Sequence, residues 1–574
     1  MPDLVRTLAL RLAAAYDTIE PGADPVLRPS DRADFQSNGA LPLAKRLGRS
    51  PLEIAATVVE RADLEGICST VELSGPGFIN LTLERSLIER TLEEMADHPR
   101  LGIDEVEVRE RIVVDYSAPN VAKEMHVGHL RTTCIGDSLC RILGFVGHEV
   151  IRENHIGDWG TPFGMLIEHL IDVGEDHAAQ VLSVGDLTNF YQDARKSFDS
   201  DPHFADRSRA RVVALQAGDE ETLRLWRILV AESVAYFNEV YAKLGVLLTD
   251  DDIVAESFYN PMLHDIVADL RARGILREND GAQCVFPDGF VNREGEPLPL
   301  IVQKSDGGFG YAATDLAAIR DRVSRLRADR MLYVVGAEQS QHLAMCFATA
   351  RLAGWLPDRV RAEHIANGSV LGTDHKRLRT REGGTVKLVA LLDEAVDRAR
   401  SAILSRGNDF GEVELAEVAE AVGIGAIKYA DLSTDRERDY VFDLDRMVAF
   451  DGDTGPYLQY AHARIRSVLR RAEEAGFAPG SSITLAADAE RSLGLALGEL
   501  GVAIGQAAET YRPNRLCAHL LVIASRFTTF YEQCPIVRAE DPATRSSRLA
   551  LAALCARALA LGLALLGVTA PERM

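Results

Sequence analysis

Apolar residues recur every four positions at the start of the chain, where Leu4, Leu8 and Leu12 mark one helix face. A helical stretch at 41–47 comes next, and then a strand-like run at 75–83, so residues 1–105 read as a separate α+β unit. From Ile112 the pattern changes. Residues 112–116 form an apolar strand, and 129–143 place Leu130, Ile135, Leu139 and Ile142 on helical spacing, with Gly144 where a helix C-terminal glycine belongs. A strand at 149–152 precedes a charged helical insertion near 177–247. The alternation then resumes with a strand at 331–336, a helix at 343–352 closed by Gly354, and a strand at 361–365. Strands alternating with helices predict a doubly wound parallel sheet of Rossmann-like form over 106–387, with ligands at the carboxyl ends of its strands. After Leu388 the pattern is nearly all helical, a stem over 388–450 and an all-α bundle over 451–574.

Composition narrows the class. At 574 residues the chain needs several cores. No apolar run is read as reaching the roughly 18–20 residues of a membrane span, and the first residues lack an apolar signal core, so neither a membrane nor export is expected. Eight scattered cysteines without a Cys-x-x-Cys pair predict free thiols, no structural zinc and a cytoplasmic setting. The net charge of −23 is uneven: from Asp451 onward 13 basic residues meet 12 acidic ones, leaving −24 on the first 450. A polyanion is resisted least by the C-terminal part, and nothing points to DNA.

The densest chemistry lies where the first strand of the sheet turns into its helix. Asn120-Val-Ala-Lys123-Glu-Met-His126-Val-Gly128-His129 offers helix-start N–H groups to phosphate, a glycine over which a flat base can pass, and two imidazoles as hydrogen-bond donors. His-x-Gly-His alone is a weak signal, and position after a strand and a Pro-Asn loop strengthens it. The similar string His155-Ile-Gly-Asp158 reads as a lookalike, because its acidic fourth residue suits no phosphate. Tyr311 and Asp315, four apart on a helix start, share a face, although Asp315 also reads as a cap for a helix over 316–327.

The run Ser117–Arg131 resembles the ATP-binding His-Ile-Gly-His element of class I aminoacyl-tRNA synthetases in the form found in the arginyl-tRNA synthetase family. Lys304-Ser-Asp-Gly-Gly, Tyr311-Ala-Ala-Thr-Asp315, Ala421-Val-Gly-Ile-Gly, Gly455-Pro-Tyr-Leu-Gln-Tyr-Ala and the terminal Pro571-Glu-Arg-Met574 extend the resemblance over nearly the whole chain. It implies a ligase using ATP with Mg²⁺, L-arginine and tRNA(Arg), acting as a monomer and needing bound tRNA for efficient adenylate formation. It further implies that His126, Gly128 and His129 hold ATP, and that Asn120, Glu256, Tyr311, Asp315 and Gln339 hold arginine. Residues 1–105 and 451–574 correspond to elbow-binding and anticodon-binding domains, with Phe35, Gln36, Asn38, Tyr457, Tyr460, Tyr531 and Met574 as tRNA contacts. The usual lysine loop appears as His375-Lys-Arg-Leu-Arg379-Thr-Arg381-Glu-Gly-Gly, with neither lysine kept. Arg379 and Arg381 are therefore its expected phosphate ligands, with Lys123 supplying part of the missing charge in catalysis.

Overall fold

The computed structural model describes residues 4–160, 162–175, 187–376, 378, 386–407 and 410–574. The chain forms two compact units: Val106–Arg406 with Val422–Val448, and Met1–Glu105 with Gly407–Ala421 and Ala449–Met574. The stretch expected as one stem at 388–450 is thus divided between them.

In the first unit, four strands form a parallel sheet: β1 (Arg111–Asp115), β2 (Glu149–Glu153), β3 (Arg330–Tyr333) and β4 (Arg361–His364), in the order β4-β3-β1-β2. Their interior is apolar because helices cover the sheet: Ile112, Val113, Val114, Met331 and Leu332 are fully buried. From β1 the chain winds outward through α1 (Val127–Phe145) to β2, then returns to the other side of β1 for β3 and β4. The reversal falls between β1 and β3. In such sheets the crevice beyond the carboxyl ends of the two strands at the reversal takes the ligand.

The helix after β1 begins two residues earlier than its apolar spacing suggests, at Val127, and it runs through Gly144. The left-handed position belongs instead to Gly147, at φ 104°. The helix that carries Tyr311 also differs from expectation. It is α2 (Tyr311–Ser324), capped by the extended Gly310, so Asp315 lies inside it and is not a cap. A further helix, α3 (Ser340–Leu352), joins β3 to β4 and ends at Gly354, whose φ of 69° is the left-handed stop expected there.

One ion cluster locks these elements. Arg322 on α2, 1% exposed, donates from Nε to Glu153 at the end of β2 (2.6 Å) and from Nη2 to Asp115 at the end of β1 (2.7 Å), under the ring of Tyr333 on β3. On α1, Arg131 is equally buried. It pairs with Asp431 at 2.8 Å and donates to the carbonyl of Arg438, tying the histidine helix to the Glu412–Ser433 helix.

The insertion is three helices among the described residues, Leu187–Ser200, Pro202–Ala217 and Glu220–Leu244. The last of them packs against the loop that leaves β1, where Ser233 and Tyr241 hydrogen-bond it.

The second unit joins the two ends of the chain. Its N-terminal part is a four-stranded antiparallel sheet, ordered Leu27–Pro29, Phe35–Ser37, Phe78–Leu83 and Cys68–Ser74, packed with helices. Its C-terminal part is helical. Asp34 accepts a forked pair from Arg491 (2.6 and 2.5 Å) and the N–H of Leu83, while Glu89 and Glu93 accept the N–H groups of Leu485 and Ile483. The helix Pro542–Leu565 is, by length and composition, apolar enough to cross a membrane, despite Arg557 within it, and the sequence pattern missed this. In the bundle 67% of its most apolar stretch is buried, and Gly562 lets it approach Leu520 so closely that a Cβ would lie 2.3 Å away.

Replacing Arg322 with Met keeps the volume but strands two buried carboxylates. The expected cost is about 3–5 kcal/mol of stability, read as a lowered midpoint in urea unfolding followed by tryptophan fluorescence. A shift under about 1 kcal/mol would show that solvent replaces the guanidinium.

Candidate active site at the sheet reversal

The loop leaving β1 is strained before it reaches the histidines. Ser117, Ala118 and Ala122 all take positive φ (72°, 47° and 59°), a region that costs a non-glycine residue roughly 1–3 kcal/mol. The surrounding groups over-determine this shape. Ser117 Oγ lies 2.8 Å from Tyr241 Oη and accepts from Thr133; the N–H of Ala118 donates to Asn154 Oδ1, and that of Ala122 to Ser233 Oγ. Asn154 Nδ2 also donates to Tyr241 Oη. Ser233 and Tyr241 belong to the last insertion helix, so that helix is part of the site's wall.

At the helix start the two histidines cap the backbone reciprocally. Nδ1 of His126 accepts the N–H of Gly128 (3.0 Å), and Nδ1 of His129 accepts the N–H of His126 (3.1 Å). Their rings are 4.0 Å apart. An imidazole accepting at Nδ1 carries its proton at Nε2 when neutral, so each ring keeps one outward donor. Burial lowers both pKa values, with Lys123 adding to the effect on His126 and His126 to that on His129, which falls to about 3. Both rings are therefore neutral at pH 7. Gly128 is required at close range, since a Cβ there would sit 2.7 Å from the His126 ring.

Asn120 is exposed and pairs in a parallel bridge with Gly157, whose missing Cβ leaves room for the Asn120 amide. The string His155–Asp158, read as a lookalike, is thus a structural partner of the turn. Asp158 accepts from the N–H and Oγ of Ser257 (2.8 and 2.5 Å), which fixes the segment carrying Glu256. Burial, with Asp158 and Asp315 nearby, raises Glu256 to a pKa of about 8, so it is largely protonated in the ligand-free pocket. Asp315, half-buried, bonds His342 (Nε2–Oδ2 2.5 Å). Tyr311, 75% exposed at the start of α2, feels Glu256 and Tyr191, and Gln339 lies exposed on the turn after β3. Lys123 is exposed, with Nζ 4.4 Å from the ring centre of Tyr191.

Arg379 and Arg381 lie outside the described residues. The segment 386–388, just beyond them in the chain, is tied to the turn: the N–H of Val127 donates to the Val386 carbonyl and that of Leu388 to Met125. Asp315, His342 and Cys346 bring their donor atoms within 4.8 Å of one another. Hydrogen bonding within the group accounts for them, and burial keeps the Cys346 thiol protonated.

In the second unit Phe35 is 3% exposed, so its ring belongs to the core. Gln36 donates to Asn80, and Asn38 is half-buried beside it. Tyr457, Tyr460, Tyr531 and Met574 are half-buried. Arg464 lies over the Tyr531 ring (4.1 Å), and Arg471 holds the Tyr531 phenol below its usual pKa. The terminal residues run along the Gly455–Glu474 helix, where His462 Nδ1 donates to the Pro571 carbonyl and Arg466 meets Glu572.

The parallel sheet, its reversal and the paired histidines define a class I aminoacyl-tRNA synthetase. Residues 93–444 match the model of the class I (R) synthetase catalytic domain, 458–574 that of the DALR anticodon binding domain, and 6–83 that of the arginyl-tRNA synthetase N-terminal domain. The chain belongs to the arginine–tRNA ligase family. It is 54% identical to the arginine–tRNA ligase of Thermobifida fusca, over all of this chain and 99% of that one, and 51% identical to that of Frankia casuarinae over the same shares. Among solved structures it is similar to the arginyl-tRNA synthetases of Plasmodium falciparum (TM-score 0.84, 28% identity) and Thermus thermophilus (0.81, 26%). All of the first chain and the second are covered, by 100% and 99% of this one.

Because His129 is held neutral when folded, with its pKa at about 3, but titrates near 6.5 when unfolded, its stabilising effect is fully present above pH 6.5 and is lost progressively as pH falls from there toward 3. Between pH 7 and 5 the wild type should lose about 2 kcal/mol more than His129→Asn, which keeps an acceptor at the Nδ1 position. Chemical unfolding at the two pH values measures the difference.

Proposed function

We propose that the crevice joins L-arginine to tRNA(Arg) in two steps, and that the cap of His126 and His129 is the observation that carries the reading. The arginine carboxylate attacks the α-phosphate of ATP, forming an arginyl-adenylate and releasing pyrophosphate. The terminal ribose of the tRNA then attacks the adenylate's carbonyl carbon, and AMP leaves. Two neutral rings with outward Nε2–H groups suit a phosphorus centre that gains negative charge, since donors fixed in advance need no reorganisation. Mg²⁺ enters with the ATP phosphates as part of that substrate.

Arg379, Arg381 and Lys123 supply positive charge around the leaving pyrophosphate. The contact of Lys123 with Tyr191 supports this, because it is a weak hold that a phosphate can outcompete. Arginine lies across the reversal, with Asn120 at its backbone end, Glu256 and Asp315 at the guanidinium, Tyr311 as its aromatic wall and Gln339 lining the same pocket. Lysine leaves a fork-shaped set of acceptors partly unpaired, at roughly 1–3 kcal/mol per group.

The residues divide into an N-terminal domain at 1–105, a catalytic domain at 106–387 with its insertion, and an anticodon-binding domain at 451–574, with the helical stretch at 388–450 between them. Gln36 and Asn38 meet the tRNA elbow, and Tyr457, Tyr460, Tyr531 and Met574 meet the anticodon loop. Stacking on Tyr531 beside Arg464 fits the reading of unpaired bases. The enzyme works as a cytoplasmic monomer, and tRNA assists the first step.

Three assays check this. Wild type should charge total tRNA with labelled arginine, and His129→Ala should slow adenylate formation about 10²–10³-fold; failure of wild type to charge would sink the reading. In pre-steady-state adenylate formation, an unchanged rate in Lys123→Ala would remove Lys123 from the chemistry. Arginine-dependent ATP–pyrophosphate exchange should need tRNA, and full exchange without it would contradict the assisted first step.

A further inference from the structure

We propose that His342 is a positioning residue for arginine: as a neutral donor it holds one oxygen of Asp315 and leaves the other to the substrate, and as a cation it offsets the carboxylate and closes the pocket to arginine. The proposal rests on the reading of the crevice as an arginine pocket.

The geometry is specific. His342 lies on α3, in the segment after β3, and reaches across to α2, where its Nε2 meets only one oxygen of Asp315, Oδ2, at 2.5 Å. The second oxygen has no bond to His342. Both side chains are partly open, at 30% and 23% exposure, so they border the crevice and are not sealed in the core. Asp315 lies seven residues before Arg322, two turns along the same helix face, so the anchored guanidinium fixes where the carboxylate can stand.

Charge then decides what the pocket can hold. Glu256 is largely protonated when the pocket is empty, and Asp158 is committed to both groups of Ser257. Asp315 is therefore the carboxylate that meets an incoming guanidinium first. The groups facing His342 are Asp315 on α2, Cys346 one turn along α3 (Sγ 3.6 Å from Nε2) and, across Asp315, Tyr333 on β3 and Glu256. Burial keeps both Cys346 and Tyr333 neutral, so the carboxylate alone draws a proton onto the imidazole and raises its pKa. Once that proton is bound, Asp315 and His342 form a neutral ion pair. A guanidinium brought to Asp315 then meets a like charge beside it, and its capture weakens as pH falls. Above the imidazole's titration Nε2–H still donates to Oδ2, and the second oxygen can accept from the substrate.

Steady-state aminoacylation of tRNA between pH 5.5 and 8.5 separates the possibilities, using the full chain as wild type, His342→Gln and His342→Ala. Glutamine places an amide donor near the Nε2 position but takes no proton. In wild type the arginine KM should climb about tenfold per pH unit below the imidazole's titration while kcat at saturating arginine changes little. His342→Gln should match wild type at pH 8 and lose that acid limb, and His342→Ala should show a raised KM throughout. Any pH dependence contributed by Glu256 or ATP is common to wild type and His342→Gln and drops out of their comparison. Parallel profiles for the two overturn the proposal, as does a His342→Gln enzyme as defective as His342→Ala at pH 8. Should His342→Ala fail to fold, the glutamine variant alone decides. A wild type that does not use arginine at any pH overturns the pocket itself, a result distinct from an arginine-saturable enzyme with unchanged profiles.

Discussion

A guanidinium with almost no solvent exposure lies between two carboxylates at the carboxyl ends of neighbouring strands. Arg322 binds Asp115 and Glu153 at once, and the same helix carries Tyr311 and Asp315 at its other end. Asp115 is the last residue of β1, two positions before the strained loop that leads to the histidines. Taking such ions out of water is costly, and a well-packed apolar cluster of equal size is often at least as stable. What the ions contribute is registry: the guanidinium accepts one arrangement of β1, β2 and α2. Both halves of the crevice, phosphate side and guanidinium side, are set from that one point.

The strained turn depends on a second restraint of a different kind. Three left-handed non-glycine residues within six positions would relax in an isolated loop. Here an amide just beyond β2 and two hydroxyls from the insertion hold them, through Asn154, Ser233 and Tyr241. The insertion thereby gains a mechanical role: its last helix sets the shape of a loop on which both Asn120 and Lys123 sit.

The parallel sheet, its helices and the histidine turn were legible because each is written locally, as apolar periodicity or as a contiguous string. Boundaries were less so. Gly144 looked like a stop, yet the helix passes through it and the backbone turns left-handed at Gly147. Asp315 looked like a cap, yet the helix starts four residues before it, at Tyr311. The string at 155–158 was set aside for its acidic end, whereas its partners, Asn120 and Ser257, are distant in sequence and no pattern along the chain joins them. Phe35 matched a motif, but its burial follows from strand pairing with Leu81. His342 was overlooked, although a histidine and a cysteine one turn apart, just after a strand of the sheet, were a readable hint.

The reciprocal cap has a consequence for how mutational data on this turn add up. Each histidine's Nδ1 accepts a backbone N–H at the other's end of the turn, so removing either ring frees an amide that helped orient its neighbour. The two side chains form one thermodynamic unit, and the effects of single alanine substitutions will sum to more than the effect of the double substitution. A scan that credits each histidine with its own share will count the same loss twice.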